Sequence, residues 1–183
     1  SVQCVQESTD SINTGFEDVM KEGPLCREQM RGCKFIFTHF VPHEDTAHRG
    51  LSQLGPASRR ACMGALLTAG TTVLEPTLAI EVRVPTDLVG NVSTVINGRR
   101  GKVLDMSQKG AASIVIGEIP ASETFTLSEA MRGQTAGRAT WNTSFKEWTE
   151  VPKSLFQTAI SDIRKRKGLA PDPPHISDFI DKD

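Results

Sequence analysis

The strongest constraint on the fold is the order of apolar patterns over residues 74–148. Ile80, Val82 and Val84 alternate with small or charged residues, which predicts a strand with one buried face. The remaining elements follow in the order helix, strand, strand, helix, strand: Val89 to Gly98, Val103 to Met106, Ser113 to Ile119, a helix from Thr126, and Ala139 to Trp148. This order is typical of a ferredoxin-like, split βαβ unit.

The segment before this unit carries one helical pattern and one strand-like run. Apolar residues recur at helical spacing over residues 3–21, which predicts an amphipathic helix that ends at Gly23-Pro24. The run from Cys33 to Val41 is rich in aromatic and β-branched residues and predicts a strand. Because the chain opens inside the predicted helix without a cap, we interpret it as part of a longer protein.

Proline, glycine and threonine mark three further helices. Gly55-Pro56 predicts a helix that begins near Pro56 and packs on a sheet through Ala61, Cys62, Met63, Ala65 and Leu66. Thr126 and Glu129 have the spacing of a capping box. Pro152 predicts the start of a last helix, with Leu155, Ala159 and Ile163 on its apolar face and Gly168 at its end. The tail over residues 170–183 is expected to be extended or loosely held.

The densest group of titratable side chains lies between the predicted strand and the helix at Pro56, in the stretch Pro42-His43-Glu44-Asp45-Thr46-Ala47-His48-Arg49-Gly50. A scaffold often presents functional residues in such a loop, although the loop could also be a polar connection. Zinc motifs of metallohydrolases place two histidines four residues apart on one helical face. His43 and His48 are five apart in a loop, so a metal-dependent hydrolase would need a distant third ligand and is the weaker alternative.

Composition excludes several classes of protein. The net charge of -1 over 183 residues is not that of a polycation that coats nucleic acid, so any contact with RNA must be local. Four cysteines at irregular spacing indicate reduced thiols and a cytoplasmic protein. The sequence contains neither an apolar run of membrane-spanning length nor the Gly-x-x-x-x-Gly-Lys-Ser/Thr loop of many nucleoside triphosphatases.

Seven short motifs lie along nearly the whole chain: Lys21-Glu22-Gly23-Pro24-Leu25, Arg31-Gly32, His43-Glu44-Asp45, His48-Arg49-Gly50, Leu74-Glu75-Pro76, Arg99-Arg100-Gly101 and Ile163-Arg164-Lys165-Arg166-Lys167-Gly168-Leu169. In order and spacing they resemble the C-terminal part of the archaeal and eukaryotic elongation factor 2 family, the ribosomal translocase GTPases. The resemblance implies an α/β (α+β) fold in three parts. These are a partial domain IV of the ribosomal-protein-S5-like βαβ type over residues 1–72, a ferredoxin-like domain V over residues 73–150, and a C-terminal helix over residues 151–183 that returns to domain IV.

The resemblance also implies a role for the loop at residues 42–50, which we call the tip. In the family the second histidine of the tip becomes diphthamide, which corresponds to His48, and the tip contacts tRNA and mRNA in the decoding site. The tip residues with this expected role are His43, Glu44, Asp45, His48, Arg49 and Gly50. Thr46-Ala47, Leu51-Ser52 and Gly55 depart from the usual pattern but leave the acceptor imidazole in place.

The cluster of Arg99, Arg100 and Lys102 has two interpretations. Its cations could contact phosphates of ribosomal RNA. Arginines in a last helical turn, followed by Gly101, also complement the helix dipole. The cationic run from Arg164 to Lys167 has the same ambiguity, and we expect it to be a solvated helix face.

The expected partners are the ribosome with its rRNA, tRNA and mRNA, and the diphthamide-synthesis enzymes, with no membrane and no DNA. We predict no catalysis and no cofactor in this chain, since GTP and magnesium would bind a GTPase domain outside it. The alternative within this class is a related GTPase of ribosome maturation or splicing, in which His48 would be unmodified.

Overall fold

The computed structural model describes residues 2–180, with side chains from Val5 onward. Leu74–Val151 forms one compact unit, and Ser1–Val73 with Pro152–Asp183 forms the other. The helices and strands are α1 (Val2–Lys21), α2 (Leu51–Ala69), β1 (Leu74–Pro85), α3 (Val89–Asn97), β2 (Lys102–Lys109), β3 (Ala112–Pro120), α4 (Leu127–Thr135), β4 (Thr140–Glu150) and α5 (Lys153–Arg166). This mixture of helices with an antiparallel sheet confirms the α/β (α+β) class.

The unit Leu74–Val151 has the predicted order β1-α3-β2-β3-α4-β4. Its strands lie in the order β2-β3-β1-β4, and each neighbouring pair is antiparallel. Ile80 pairs with Gly117 on one side and Thr143 on the other. The alternating residues of β1 form a buried core with residues of α3, β3 and α4: Ile80, Val82, Val84, Val92, Val95, Ile96, Val115, Ile119, Leu127 and Met131. The period-2 pattern therefore identified the face of the sheet that packs on the helices.

In the other unit, α1 and α2 pack closely against each other where Gly15 meets Gly55. A Cβ atom on Gly15 would overlap the carbonyl oxygen of Gly55 and lie 2.7 Å from the Arg59 nitrogen. Ser58 Oγ donates a hydrogen bond of 2.8 Å to the carbonyl of Ile12 across the same contact. Glycine is required at position 15 because the two backbones approach at this point.

The predicted start of α2 is wrong by five residues, since the helix begins at Leu51. The Gly50 carbonyl accepts the backbone N–H groups of Gln53 and Leu54, so the first turn forms before Pro56 is reached. Pro56 lies inside the helix and removes one donor there, which the packing of α2 on α1 offsets. The predicted apolar face is also wrong in part, because α2 buries Gly55, Met63 and Leu66, whereas Ala61 and Ala65 are exposed.

The predicted strand from Cys33 to Val41 does not form, and this segment is irregular. Among residues 2–180, every strand belongs to the sheet of the other unit, so the segment has no strand with which to pair. Phe35 packs edge-on against Phe16 of α1, with ring centroids 5.3 Å apart. Phe37 and Val41 remain 59% and 77% exposed. The apolar pattern of this segment therefore predicted a strand on local grounds, but a strand also requires a neighbouring strand with which to pair.

Helix α5 follows Pro152 as predicted and ends in a Schellman motif. Gly168 has a φ of +66°, and the N–H groups of Gly168 and Leu169 bond the carbonyls of Lys165 and Arg164. The predicted solvated cationic face is wrong at Arg164, which is 6% exposed. Its guanidinium donates to the carbonyls of Leu25 at 2.6 Å and Ala170 at 2.5 Å. These charge-assisted bonds fasten the turn after α1 and the turn after α5 to the same side chain.

The tail is more ordered than expected as far as residue 180. His175 accepts the Ser177 N–H and caps a 3₁₀ turn over Ile176–Asp178. Phe179 then packs against a core cluster that contains Val19 and Met63. Residues 181–183 of the predicted tail lie outside the described part of the chain. This turn gives the tail backbone hydrogen bonds and apolar contacts that its proline and aspartate content did not predict.

Of the four cysteines, the three whose side chains are described are free thiols: Cys26, Cys33 and Cys62. Burial is the main cause that raises the pKa of the Cys26 and Cys62 thiols. A thiol with a raised pKa forms less of the reactive thiolate, so these two side chains act as core residues. Cys4 lies outside the described side chains. None of the helices described over residues 2–180 is long and apolar enough to cross a bilayer.

Candidate functional site

The tip folds as a single turn of 3₁₀ helix, Thr46–Arg49, that leads directly into α2. Asp45 begins the turn: its carboxylate accepts the Ala47 N–H at 2.9 Å, and its carbonyl accepts the His48 N–H at 3.2 Å. Aspartate at this position satisfies donors that the short turn leaves free. Glu44 is exposed beside it. Asp45 therefore holds the turn through these two hydrogen bonds, while Glu44 faces solvent.

The structure brings the two histidines of the tip together. Their ring centroids are 4.5 Å apart at an interplanar angle of 57°, and both residues are exposed. His43 Nδ1 accepts the backbone N–H of Asp45 at 3.1 Å. In a neutral imidazole an accepting Nδ1 places the ring proton on Nε2. His43 is therefore held as a hydrogen-bond donor through Nε2.

His48 contacts a residue that the sequence analysis did not single out. The side-chain amide of Gln53 lies against His48 Nδ1, with Nε2 at 3.0 Å and Oε1 at 3.2 Å. Gln53 is the third residue of α2, and its own N–H bonds the Gly50 carbonyl at 3.1 Å. The signal that would have found it is the helix start, because a helix that begins at Leu51 brings its first turn next to the tip.

Arg49 and Gly50 have mainly structural contacts. The Arg49 side chain is 12% exposed, and its Nη2 lies 3.8 Å from a carboxylate oxygen of Glu7 in α1. Gly50 caps α2 with an extended φ of -79°, and a Cβ atom there would meet nothing within 4 Å. Arg49 is therefore directed toward the helix pair, and the backbone at Gly50 does not require glycine. The exposed imidazole of His48 is the better placed group for contact with another molecule.

The metal-dependent alternative finds no ligand set around His43 and His48. Among the side chains that the structure describes, from Val5 to Ile180, no group of three or more His, Cys, Asp or Glu is arranged to hold a metal ion. The two imidazole Nδ1 atoms are engaged by Asp45 and Gln53. A structural or catalytic zinc site needs at least three protein ligands.

Arg100 in the other unit is the centre of an ion-pair network. Its guanidinium bonds both carboxylate oxygens of Glu75, at 2.7 and 3.0 Å, and one of Glu123 at 2.7 Å. Ser122 Oγ also accepts from it at 2.9 Å. The Arg100 bonds hold the pKa of Glu75 below its ordinary value, and the bonds to Glu75 raise the pKa of Arg100. The network closes around a backbone φ of +54° at Arg100, which is unfavourable for arginine.

Arg99 and Lys102 flank this network differently. The helix-dipole interpretation assumed that Arg99 and Arg100 lie in the last turn of α3. Helix α3 ends at Asn97, so both arginines lie after the helix. Arg99 donates to the hydroxyl of Thr126 at 2.9 Å and to its carbonyl at 3.2 Å. The predicted capping box is wrong, because the Thr126 side chain makes no cap hydrogen bond to α4. Lys102 is exposed at the start of β2.

Comparison with known protein families identifies the class of chain. A family model for elongation factor G domain IV matches residues 1–70, and a model for the elongation factor G C-terminus matches residues 72–159. A solved structure from Thermus thermophilus matches 87% of this chain and 24% of its own, with a TM-score of 0.73 and 28% identity. Together with the sheet and the tip, these matches define a chain built like the C-terminal domains of a translation elongation factor.

The curated relatives of this chain indicate which elongation factor family it belongs to. Elongation factor 2 of Cenarchaeum symbiosum (strain A) is 79% identical over 100% of this chain and 25% of its own length. Elongation factor 2 of Sulfurisphaera tokodaii is 47% identical over 98% of this chain and 24% of its own. The chain belongs to the elongation factor 2 family and corresponds to its C-terminal part. It spans about a quarter of the length of these relatives.

Proposed function

We propose that this chain presents His48 at the ribosomal decoding site and supports GTP-dependent translocation of tRNA and mRNA. The hydrolysis of GTP, with its magnesium ion, would belong to a GTPase domain of the longer parent protein. The observation that carries the proposal is the exposed His48 imidazole, held in place by its neighbours in a chain of the elongation factor 2 family. The expected setting is the cytoplasm.

The chemistry of the tip supports contact with RNA in preference to hydrolysis. Two adjacent imidazoles, of which His43 is fixed as an Nε2 donor, suit the acceptor oxygens of phosphates and bases. A turn held by Asp45 keeps them in one arrangement and lowers the entropy lost on binding. With a net charge of -1, the chain has to rely on such local contacts.

The exposure of His48 also supports its conversion to diphthamide. A modifying enzyme can reach an imidazole on a short exposed turn, whereas a core imidazole would require local unfolding. The diphthamide-synthesis enzymes are therefore proposed partners of the tip. A modified side chain would extend a cationic group from the same point toward RNA.

A second contact, with ribosomal RNA, is proposed for the cluster of Arg99, Arg100 and Lys102. Lys102 is exposed, whereas the guanidinium groups of Arg99 and Arg100 donate hydrogen bonds within the unit. The guanidinium of Arg100 is occupied by Glu75 and Glu123, so its part in such a contact would be to hold the backbone between its neighbours. Phosphate contacts of this kind position a protein on RNA and do not read sequence.

The test uses the parent protein with His48→Ala, and His39→Ala as the control because His39 is also exposed and lies outside the tip. We expect His48→Ala to slow one round of translocation about tenfold, equivalent to about 1.4 kcal/mol in the barrier, with GTP hydrolysis retained. Ribosome position on the mRNA is measured by toeprinting, and the mass of the native tip peptide reports modification. Normal translocation by His48→Ala, with an unmodified native His48, would favour the ribosome-maturation or splicing alternative.

A further inference from the structure

Gln53 is the residue that the structure adds to the tip, and its position explains why it reaches His48. As third residue of α2 it lies in the first helical turn, with its N–H bonded to the Gly50 carbonyl. A glutamine at this position commonly turns back to the N–H of the helix cap. Here the side-chain amide contacts His48 Nδ1 instead, and the distance from Gln53 Nε2 to His48 Nδ1 is 3.0 Å. The first turn of α2 thus provides a fixed base for one hydrogen bond to the imidazole.

We propose that Gln53 is a positioning residue for His48. Its amide N–H donates to Nδ1, fixes the ring proton on Nε2 and orients the ring so that this edge is available to a partner. The effect of Gln53 on His48 modification and on RNA contact rests on the function proposed above. The hydrogen bond itself stands on the geometry of the tip.

His43 completes the arrangement from another side. Its ring lies 4.5 Å from that of His48, centroid to centroid, and it is itself held by the Asp45 N–H. The His48 ring is thus restrained through Nδ1 by Gln53 and by packing against His43. The edge of the imidazole that carries Nε2 remains available. This edge is a hydrogen-bond donor, because a neutral ring that accepts at Nδ1 donates at Nε2.

This arrangement specifies the acceptor that the tip recognises. Two adjacent rings that both donate through Nε2 match an oxygen-rich partner, such as a phosphate group or the carbonyl edge of a base. If Gln53 accepted from Nδ1 instead, His48 would offer an acceptor at Nε2 and would be repelled by a phosphate oxygen. The ring tautomer is therefore the quantity that decides between the two arrangements.

The experiment measures that tautomer by nitrogen-15 NMR of the histidine rings in the 183-residue chain, at alkaline pH where imidazole side chains are neutral. Gln53→Ala removes the bond, and Gln157→Ala on the exposed face of α5 is the matched control. We expect the His48 tautomer ratio to fall about fivefold in Gln53→Ala, the factor for one net hydrogen bond, and to stay unchanged in the control. Gln53→Glu, which can only accept, should move the ring proton to Nδ1.

The initial rate of His48 modification in the parent protein is the second measurement. It should fall by about the same fivefold factor in Gln53→Ala and remain unchanged in Gln157→Ala. An unaltered tautomer ratio in both Gln53 variants, with the rest of the spectrum native, would overturn the positioning role. If the wild-type parent is never modified, the proposed function fails, whereas the tautomer ratio still decides the role of Gln53.

Discussion

Replacing Arg100 separates the contribution of its ion pairs from that of its backbone strain. Arg100→Ala removes the bidentate bond to Glu75 and the bond to Glu123. Charged hydrogen bonds contribute more than neutral ones, but the Arg100 and Glu75 side chains are 27% and 12% exposed, so solvent screens part of the gain. We expect Arg100→Ala to lower the free energy of unfolding of the Leu74–Val151 unit by about 2 kcal/mol.

Arg100→Gly is the informative companion. It removes the same ion pairs but tolerates the φ of +54° that costs a residue with a Cβ about 1 kcal/mol. It should therefore be less destabilising than Arg100→Ala by about 1 kcal/mol. Lys102→Ala, which removes an exposed cation nearby, should change stability by less than about 0.5 kcal/mol.

The pH dependence tests the same network. Arg100 keeps the folded-state pKa of Glu75 below its ordinary value of 4.5. The stabilisation is therefore complete above pH 4.5 and is lost as the pH falls through the lower, folded-state pKa. Urea unfolding of wild type and Arg100→Ala should show a large difference at neutral pH that shrinks in acid. An equal difference at both pH values, or a more stable Arg100→Ala, would refute the ion-pair explanation.

Two further substitutions test the helical unit. Gly15→Ala should destabilise it by about 2 kcal/mol or more, since the new methyl group would overlap the Gly55 carbonyl; thermal unfolding measures this, and an unchanged midpoint would show that the helices are farther apart. Arg164→Met should cost about 2–3 kcal/mol, because it leaves the Leu25 carbonyl without its donor. Neutral behaviour of Arg164→Met, equal to that of the exposed control Arg166→Ala, would contradict this.

The ferredoxin-like unit could be predicted because its local patterns agree with its tertiary structure. The alternation at Ile80, Val82 and Val84 specifies which face of β1 is buried, and the same sheet supplies both neighbours of that strand. Local propensity and pairing therefore gave the same answer. The order of elements then left few ways to connect the strands: β2 and β3 follow each other without a helix and pair directly, whereas α3 and α4 each carry the chain past one strand of the sheet.

Two of the errors share a physical cause, which is that the deciding partner is distant in sequence. The strand predicted from Cys33 to Val41 needed a neighbour that residues 2–180 do not provide. Thr126 had the right spacing for a cap, but Arg99 takes its hydroxyl. The start of α2 was missed for a local reason, because the Gly50 carbonyl accepts the N–H groups of Gln53 and Leu54 and the helix therefore begins before Pro56.

The cations that sequence analysis flagged for RNA contact are largely directed to acceptors within their own units. Arg49 faces Glu7, Arg100 faces Glu75 and Glu123, and Arg164 bonds two carbonyls. The two histidines of the tip differ from these arginines in kind, because they are exposed imidazoles fixed by Asp45 and Gln53. A recognition surface built in this way relies on oriented hydrogen bonds more than on net charge. Under the proposed function, orientation is the property that a chain with a net charge of -1 needs at its contact with RNA.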